Sequence, residues 1–455
     1  MTLRIVVVGG VAAGMSAASQ AKRRMPDAHV VALERGSHVS YGACGMPYNI
    51  EDPARRIDDL VVLTPDQFRQ DRGIDVRLRH EVLAIHPERK VVEVRDVDRC
   101  RNSEEPYDKL VLATGAVPFR PPLPGIDLPG VFVLRDLSHG AVLKRHVDEA
   151  GPREAVIIGG GYVGLEMAEA LRKRGLGVTI LELAAQPLPG YDSMIARAAK
   201  DELERNEVHV ETGIEMQGIE QGRSPGMLVV RTNRGALAAD MVLAATGIRP
   251  NVELASAAGV RLGTSGAIAV DDGMRTNLPD IFAAGDCAEA RHLVSGQPAW
   301  IPLGTTANKQ GKVAGANAAG ADERFGGIVG TAGFKLFEIE VARTGLGMPD
   351  VRRLGIDAVS SNSRHRSRGH AYPGGRTMDT VLIVERSTGR LLGAQMAGET
   401  AAKRIDVLAA ALHAKMTVAD VEQLDLSYAP PFAPVYDPIL VAASVALKDL
   451  AARRA

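Results

Sequence analysis

The chain repeats one succession of strand, glycine turn, helix and strand, and this repetition restricts its fold more than any other feature. Residues 4–8, RIVVV, read as a buried parallel strand, GGVAAG as a turn, MSAASQAKRR as a helix and HVVALE as a second strand. The pattern returns over 155–182 in AVIIGGGYVGLEMAEALRKRGLGVTILE. Each is a βαβ unit whose glycine turn opens a helix, where free amides and the helix dipole favour phosphate. Two units imply two dinucleotides.

The second loop, Gly159-Gly160-Gly161-Tyr162-Val163-Gly164, meets the full dinucleotide fingerprint: its glycines permit a tight turn, close pyrophosphate approach and helix packing on the strand. Glu182 ends the next strand, placed to accept both ribose hydroxyls of the adenosine. Its charge would repel a 2'-phosphate, and Leu183-Ala184-Ala185 brings no arginine to neutralise one, so NADH is expected and NADPH is the alternative. A solvent-facing acid at a strand end is the competing reading of Glu182.

The first loop, Gly9-Gly10-Val11-Ala12-Ala13-Gly14, departs from the fingerprint at Val11. Glu34 at the end of the following strand supports it, as does TNLPDIFAAGDCAE at 276–289. An apolar strand leading into Gly285-Asp286 resembles the second FAD motif of two-dinucleotide flavoprotein reductases, in which the aspartate holds a ribityl hydroxyl. FAD is therefore assigned to the first unit together with the segment around Asp286, and the nicotinamide unit is inserted between them. KLVLATGAVP at 109–118 and DMVLAATGIRP at 240–250 repeat one another, and PFRPPLPGIDLPG at 118–130 breaks regular structure as a crossing between domains.

The expected fold is α/β. It has two Rossmann-like domains, for FAD (1–117 and 250–325) and for NAD(P)H (118–249), and a carboxyl-terminal α+β dimerisation domain (326–455). In the last, FKLFEIEVART, TVLIVER and LLGAQMAG read as strands before helical stretches. Fifty-four basic against 55 acidic residues give a net charge of -1 and no sequence-wide reason to bind nucleic acid or an anionic membrane. Three scattered cysteines exclude a disulfide framework and show no metal-type spacing, so a reducing cytoplasm is expected and no metal is assigned.

Cys44 lies in SYGACGMPYNI, in the FAD unit, at what reads as a helix start. A lone cysteine is ordinarily an inert small hydrophobe. A helix amino terminus lowers a thiol pKa, however, and the thiolate is the nucleophile in thiol exchange. Disulfide reductases keep a Cys-x4-Cys pair in this region; here the partner position is Asn49, so no internal disulfide can form at the site. With these residues the whole chain resembles the coenzyme A disulfide reductases. That family belongs to the single-cysteine branch of the pyridine nucleotide-disulfide oxidoreductases, alongside NADH oxidases, NADH peroxidases and persulfide reductases.

The resemblance implies that Cys44 alternates between a thiolate beside the flavin and a mixed disulfide with coenzyme A. Peroxidase-like members carry a histidine where this chain has Ala12. YAPPFAPVYDP resembles the coenzyme A branch, in which two tyrosines, matching Tyr428 and Tyr372, reach the substrate sulfur across a homodimer interface. Carried over in the same way, the coenzyme A site takes Ser16, Gln20, Arg23, Ser40, Arg72, Asn308 and Tyr436. Further cofactor contacts are Ala13, Arg35, Val82, Ala113, Thr114, Gly115 and Gly247. Ala43 departs from the asparagine of some family members. Glu166 is expected to bond the nicotinamide carboxamide, or else to be an ordinary helix acid, and Tyr162 to cover the flavin until NADH enters. The run Arg364-His365-Arg366-Ser367-Arg368 reads either as a phosphate holder or as a solvated loop. Cys287 and Cys100 receive no role, and no rhodanese-like domain is expected beyond residue 455. The expected substrate is a small thiol-derived molecule, coenzyme A disulfide or coenzyme A persulfide or polysulfide. Reduction of oxygen, reduction of an electron-transfer protein, and a flavin-binding module without turnover are the alternatives.

Overall fold

The computed structural model describes residues 2–452. The first unit forms as the apolar pattern requires: β1 (Arg4–Val8), α1 (Ala12–Arg24) and β2 (His29–Glu34), with β1 parallel to β2 in the register Val8 to Leu33. The short helix α2 (Met46–Glu51) and α3 (Pro65–Arg72) lead to β3 (Ile74–Leu78), and β4 (Lys109–Leu112) joins the sheet on the other side of β1. Strand Ile281–Ala283 completes this five-stranded parallel sheet, so sequence from beyond the second unit returns to the first. An antiparallel meander over 80–106, which hydrophobic alternation did not reveal, lies beside it, and Cys100 sits in its exposed turn.

The second unit is built alike. β5 (Val131–Phe132), α4 (Leu137–Glu149), β6 (Glu154–Ile158), α5 (Tyr162–Lys173), β7 (Gly177–Glu182), α6 (Ser193–Arg205), β8 (Val208–Thr212) and β9 (Met241–Ala244) give a parallel sheet in the order β8-β7-β6-β9-β5. The proline-rich 119–130 holds no helix or strand. The two crossings between the units run side by side, since Ala116–Pro118 and Ile248–Pro250 pair antiparallel.

After α7 (Gly304–Ala318), the carboxyl-terminal region forms a five-stranded antiparallel sheet. Its strands are β10 (Ala332–Leu336), β11 (Ile339–Gly345), β12 (Ala358–Arg366), β13 (Thr377–Glu385) and β14 (Leu391–Gly398), in the order β10-β11-β14-β13-β12, and helices α8 (Ala401–His413) and α9 (Pro438–Ala452) pack against it. FKLFEIEVART, read as one strand, is a hairpin: Phe337, at positive φ, turns between β10 and β11. The basic run departs from the loop reading. Arg364 to Arg366 end β12, Arg364 is forked onto Asp379, and Arg368 is bonded to Glu399, so two of its guanidinium groups are already neutralised.

Candidate active site

Both dinucleotide cradles are closed by the same contacts. A Cβ on Gly9 would stand 2.2 Å from Ala113 O, and one on Gly159 2.5 Å from Ala245 O, so each turn needs glycine to pass its neighbouring strand end. Glu34 accepts from the amides of Gly10 and Gly36, both at 2.7 Å; Glu182 accepts from those of Gly160 (2.6 Å) and Ala184 (2.7 Å). The carboxylates brace their loops, and each oxygen keeps acceptor capacity for a ribose hydroxyl. Helices α1 and α5 both begin without a side-chain cap, which leaves their first amides for a phosphate. At Gly161 a Cβ would meet nothing within 4 Å, the clearance a pyrophosphate requires. The donor sets and cradles thus fit two dinucleotides, including the first loop despite Val11.

The remaining cofactor candidates gather around these loops. Ala13 lies under Gly285, where an added Cβ would come within 2.7 Å of the Ala13 methyl. Thr114 Oγ1 donates to Asn251 O at 2.6 Å, and Gly115 and Gly247 take positive φ at the two crossings. Val82 packs against the cluster holding Val8 and Leu33, and Arg35 is exposed beyond Glu34.

Cys44 is exposed within a single 3-10 turn, Ala43–Gly45, that precedes α2. The expected thiolate-favouring helix end is not what governs it: partial desolvation first, then the carboxylates of Glu166 and Asp286, push its thiol above the ordinary value, and Arg135 opposes them. So short a helix offers too weak a dipole to outweigh two acids. The same charges act on Tyr162, which burial and then Cys44, Asp286 and Glu166 raise. Cys44, Tyr162, Glu166 and Asp286 therefore form one site between the cradles. Asn49, in the place of a second cysteine, is buried and donates to Arg56 O at 2.8 Å. Cys287 is buried and donates weakly to Leu112 O and Ala284 O, a packing role.

Sequence reasoning missed two members of this site. Tyr48 donates to Glu166 Oε1 at 2.8 Å; burial first, with Glu169 adding, raises the Glu166 carboxyl to about 7. Arg135, leaving the second sheet, bonds Ala116 O at 2.9 Å and Asp286 Oδ2 at 2.8 Å. No motif marks either residue, because both act across long stretches of chain.

The expected coenzyme A residues fall into two groups. Ser16, Gln20 and Arg23 share one face of α1; Ser16 donates to Asn308 Oδ1 (2.7 Å), Arg23 to Gln20 (2.6 Å), and Arg72 to Ser19 on the same helix (2.9 Å). Ser40, at positive φ, ties the Cys44 segment to the first loop through Gly10 O at 2.9 Å. Tyr372, Tyr428 and Tyr436 are exposed on the carboxyl-terminal region, and among the described residues no side-chain hydrogen bond joins them to the Cys44 site of the same chain. Their two segments do meet: Gly369 N donates to Pro430 O at 2.9 Å, and Arg404, nearly buried, binds Ser367 O, Phe432 O and Asp437 at 2.8–3.0 Å. Among the described residues no helix is long and apolar enough to cross a membrane.

Residues 3–311 match the pyridine nucleotide-disulphide oxidoreductase family, and residues 331–438 match the dimerisation domain of that family. The NAD(P)H coenzyme A polysulfide/persulfide reductase of Pyrococcus horikoshii is 38% identical over 446 residues, 98% of either chain. An NADH oxidase of Methanocaldococcus jannaschii is 35% identical, covering 98% of this chain and 99% of its own. The structure of reduced Bacillus anthracis CoADR-RHD superposes with a TM-score of 0.95 at 34% identity, over 99% of this chain and 81% of that one. With its two cradles, exposed Cys44 between them and matching dimerisation region, the chain belongs to the pyridine nucleotide-disulphide oxidoreductase family.

Proposed function

We propose that the protein is an NAD(P)H-dependent flavoprotein that reduces coenzyme A disulfide, or coenzyme A persulfide or polysulfide, through Cys44. The observation that carries this reading is the accessible Cys44 between two dinucleotide cradles, with buried Asn49 where a second cysteine would be. A thiol so placed must take its disulfide partner from the substrate. The names of full-length relatives support the substrate class. In the proposed division of the chain, 1–117 and 250–325 hold FAD, 118–249 hold NAD(P)H and 326–455 dimerise.

When bound, FAD supplies the chemistry that carries two electrons from the nicotinamide to Cys44. Glu34 and Glu182 orient the two adenosine riboses, and the negative charge of Glu182 favours NADH over NADPH. Asp286 orients the ribityl chain, Glu166 holds the carboxamide, and Tyr162 shields the flavin face. The Cys44 thiolate attacks one sulfur of the substrate, the bond between the substrate sulfurs breaks, and one thiolate or hydrosulfide leaves. Ser16, Gln20, Arg23, Ser40, Arg72, Asn308 and Tyr436 hold the coenzyme A moiety, while Tyr372 and Tyr428 reach its sulfur across the interface of a homodimer.

Mass spectrometry of the protein as isolated is expected to show coenzyme A or a persulfide sulfur on Cys44, and Cys44→Ser is expected to abolish turnover of both substrates. A free thiol or sulfenic acid alone would count against the reading. The relatedness to an NADH oxidase favours oxygen as a second acceptor. Oxygen uptake that exceeds coenzyme A disulfide turnover and survives Cys44→Ser would establish that activity instead.

A further inference from the structure

Helix α2 follows Cys44 directly, and sequence order places it in the first unit, yet it packs mainly against α4 and α5 of the second. Ile50 is fully buried in the apolar cluster of Leu143, Ile157, Leu165 and Leu171, the core beneath α4 and α5. Met46 lies against Gly140 of α4, where an added Cβ would come within 2.9 Å of its sulfur. Tyr48 is bonded to Glu166, and Glu51 accepts from Lys173 at 2.8 Å.

The carboxyl end of α2 is held more firmly still. The last carbonyls of a helix have no partner within it. Lys144 Nζ, on buried Lys144 of α4, donates at 2.7 Å to both Asn49 O and Asp52 O, and Arg174 Nη1 donates to Ile50 O at 3.0 Å. Cations at this end also oppose the negative pole of the helix. Lys144 thus spends two donors on the backbone of another unit.

We propose that α2 is mechanically part of the nicotinamide-binding unit, with Lys144 as the positioning residue that fixes it there, so that the stance of this unit sets the placement of Cys44. The inference rests on Cys44 as the reacting thiol and on no particular acceptor. A shift of the nicotinamide unit would carry α2 along, and the single turn between Cys44 and Met46 leaves little slack to absorb it.

Hydrogen exchange of the full-length protein as isolated, followed with rising urea, tests the first part. Amides 48–52 are expected to open together with those of β6 and α5. Opening together with β1 and β2 would overturn the proposal. The second part is read in Lys144→Met, where loss of a charged donor is expected to speed exchange of 48–52 by about tenfold. The pH midpoint of Cys44 alkylation is expected to fall as the thiol gains water. Uniformly faster exchange across 154–182, or an unchanged alkylation profile, would reduce Lys144 to a structural role and overturn that part. Should the variant not fold, the urea series on the unaltered protein decides. Failure of coenzyme A substrates to turn over would leave these readouts unaffected, so the two proposals fail separately.

Discussion

Arg135 Nη2 stands 2.8 Å from Asp286 Oδ2, so an arginine of one nucleotide unit neutralises the carboxylate proposed to orient the flavin of the other. The pair also lies within electrostatic reach of Cys44, where Arg135 is the one charge that favours thiolate.

Removing that charge is expected to push the thiol higher. In flavin-free protein, Arg135→Gln should slow Cys44 alkylation at neutral pH several-fold and move its pH midpoint upward. A midpoint that stays in place would show that Asp286, released from its partner, no longer acts on the thiol.

Glu166 carries a pH dependence of the opposite chemical kind. Burial raises its carboxyl to about 7, so the folded chain holds this proton more tightly than the unfolded chain does. Its contribution favours folding below the ordinary carboxylate range and is lost as pH rises towards about 7. Thermal unfolding followed between pH 5 and 8 should show that slope flatten in Glu166→Gln. NADH binding, measured across the same range, should lose its pH dependence too.

Glu169 fastens α5 to the carboxyl-terminal sheet. Its side chain is 2% exposed and accepts from Lys173 at 2.7 Å, from Lys335 and from Phe337 N at 2.7 Å; against the cost of burial, these bonds hold its carboxyl below the usual range. Glu169→Ala leaves Lys335 and the Phe337 amide without this partner, while Lys173 keeps Glu51, and is expected to cost about 1–3 kcal/mol in chemical denaturation. A loss below ~1 kcal/mol would mean that water replaces these bonds.

Helices α1 and α7 touch backbone to backbone. A Cβ on Gly315 would lie 2.1 Å from Ala17 O, and one on Gly311 2.3 Å from Ala13 O. Gly315→Ala should therefore destabilise the first unit by about 1–3 kcal/mol. Flavin retention through gel filtration should fall with it, since α1 presents the first loop. Full retention with unchanged stability would show that the helices can separate freely.

The two βαβ units could be read from sequence because an unbroken apolar run ending in a glycine turn is local information. Residues 4–8 and 29–34 form strands with those bounds, and 155–182 holds the second unit's strand, helix and strand in order. The meander at 80–106 was hidden because its outer strand, RNSEEP, is polar and mostly exposed on both faces. β12 was hidden because its end is rich in charge, although Arg364 is forked onto buried Asp379 of the neighbouring strand. Within the site, Cys44 and the two glutamates that brace the glycine loops were legible. Tyr48, Arg135 and Lys144 were not, since their partners lie far away in sequence and no spacing encodes them. The expected low thiol pKa failed for a related reason: burial first, and then acids from other elements, push the thiol up.

The side-by-side crossings at 116–118 and 248–250 make the second unit a cassette with a single doorway. Its two ends meet in one two-stranded ribbon, so the segment could be exchanged whole for that of a relative without rethreading the flavin sheet. What resists such a transplant is Ile50, a side chain of the host buried in the guest. A swapped cassette must bring its own socket for that residue, and this requirement ties the choice of nucleotide to the helix behind the reactive sulfur.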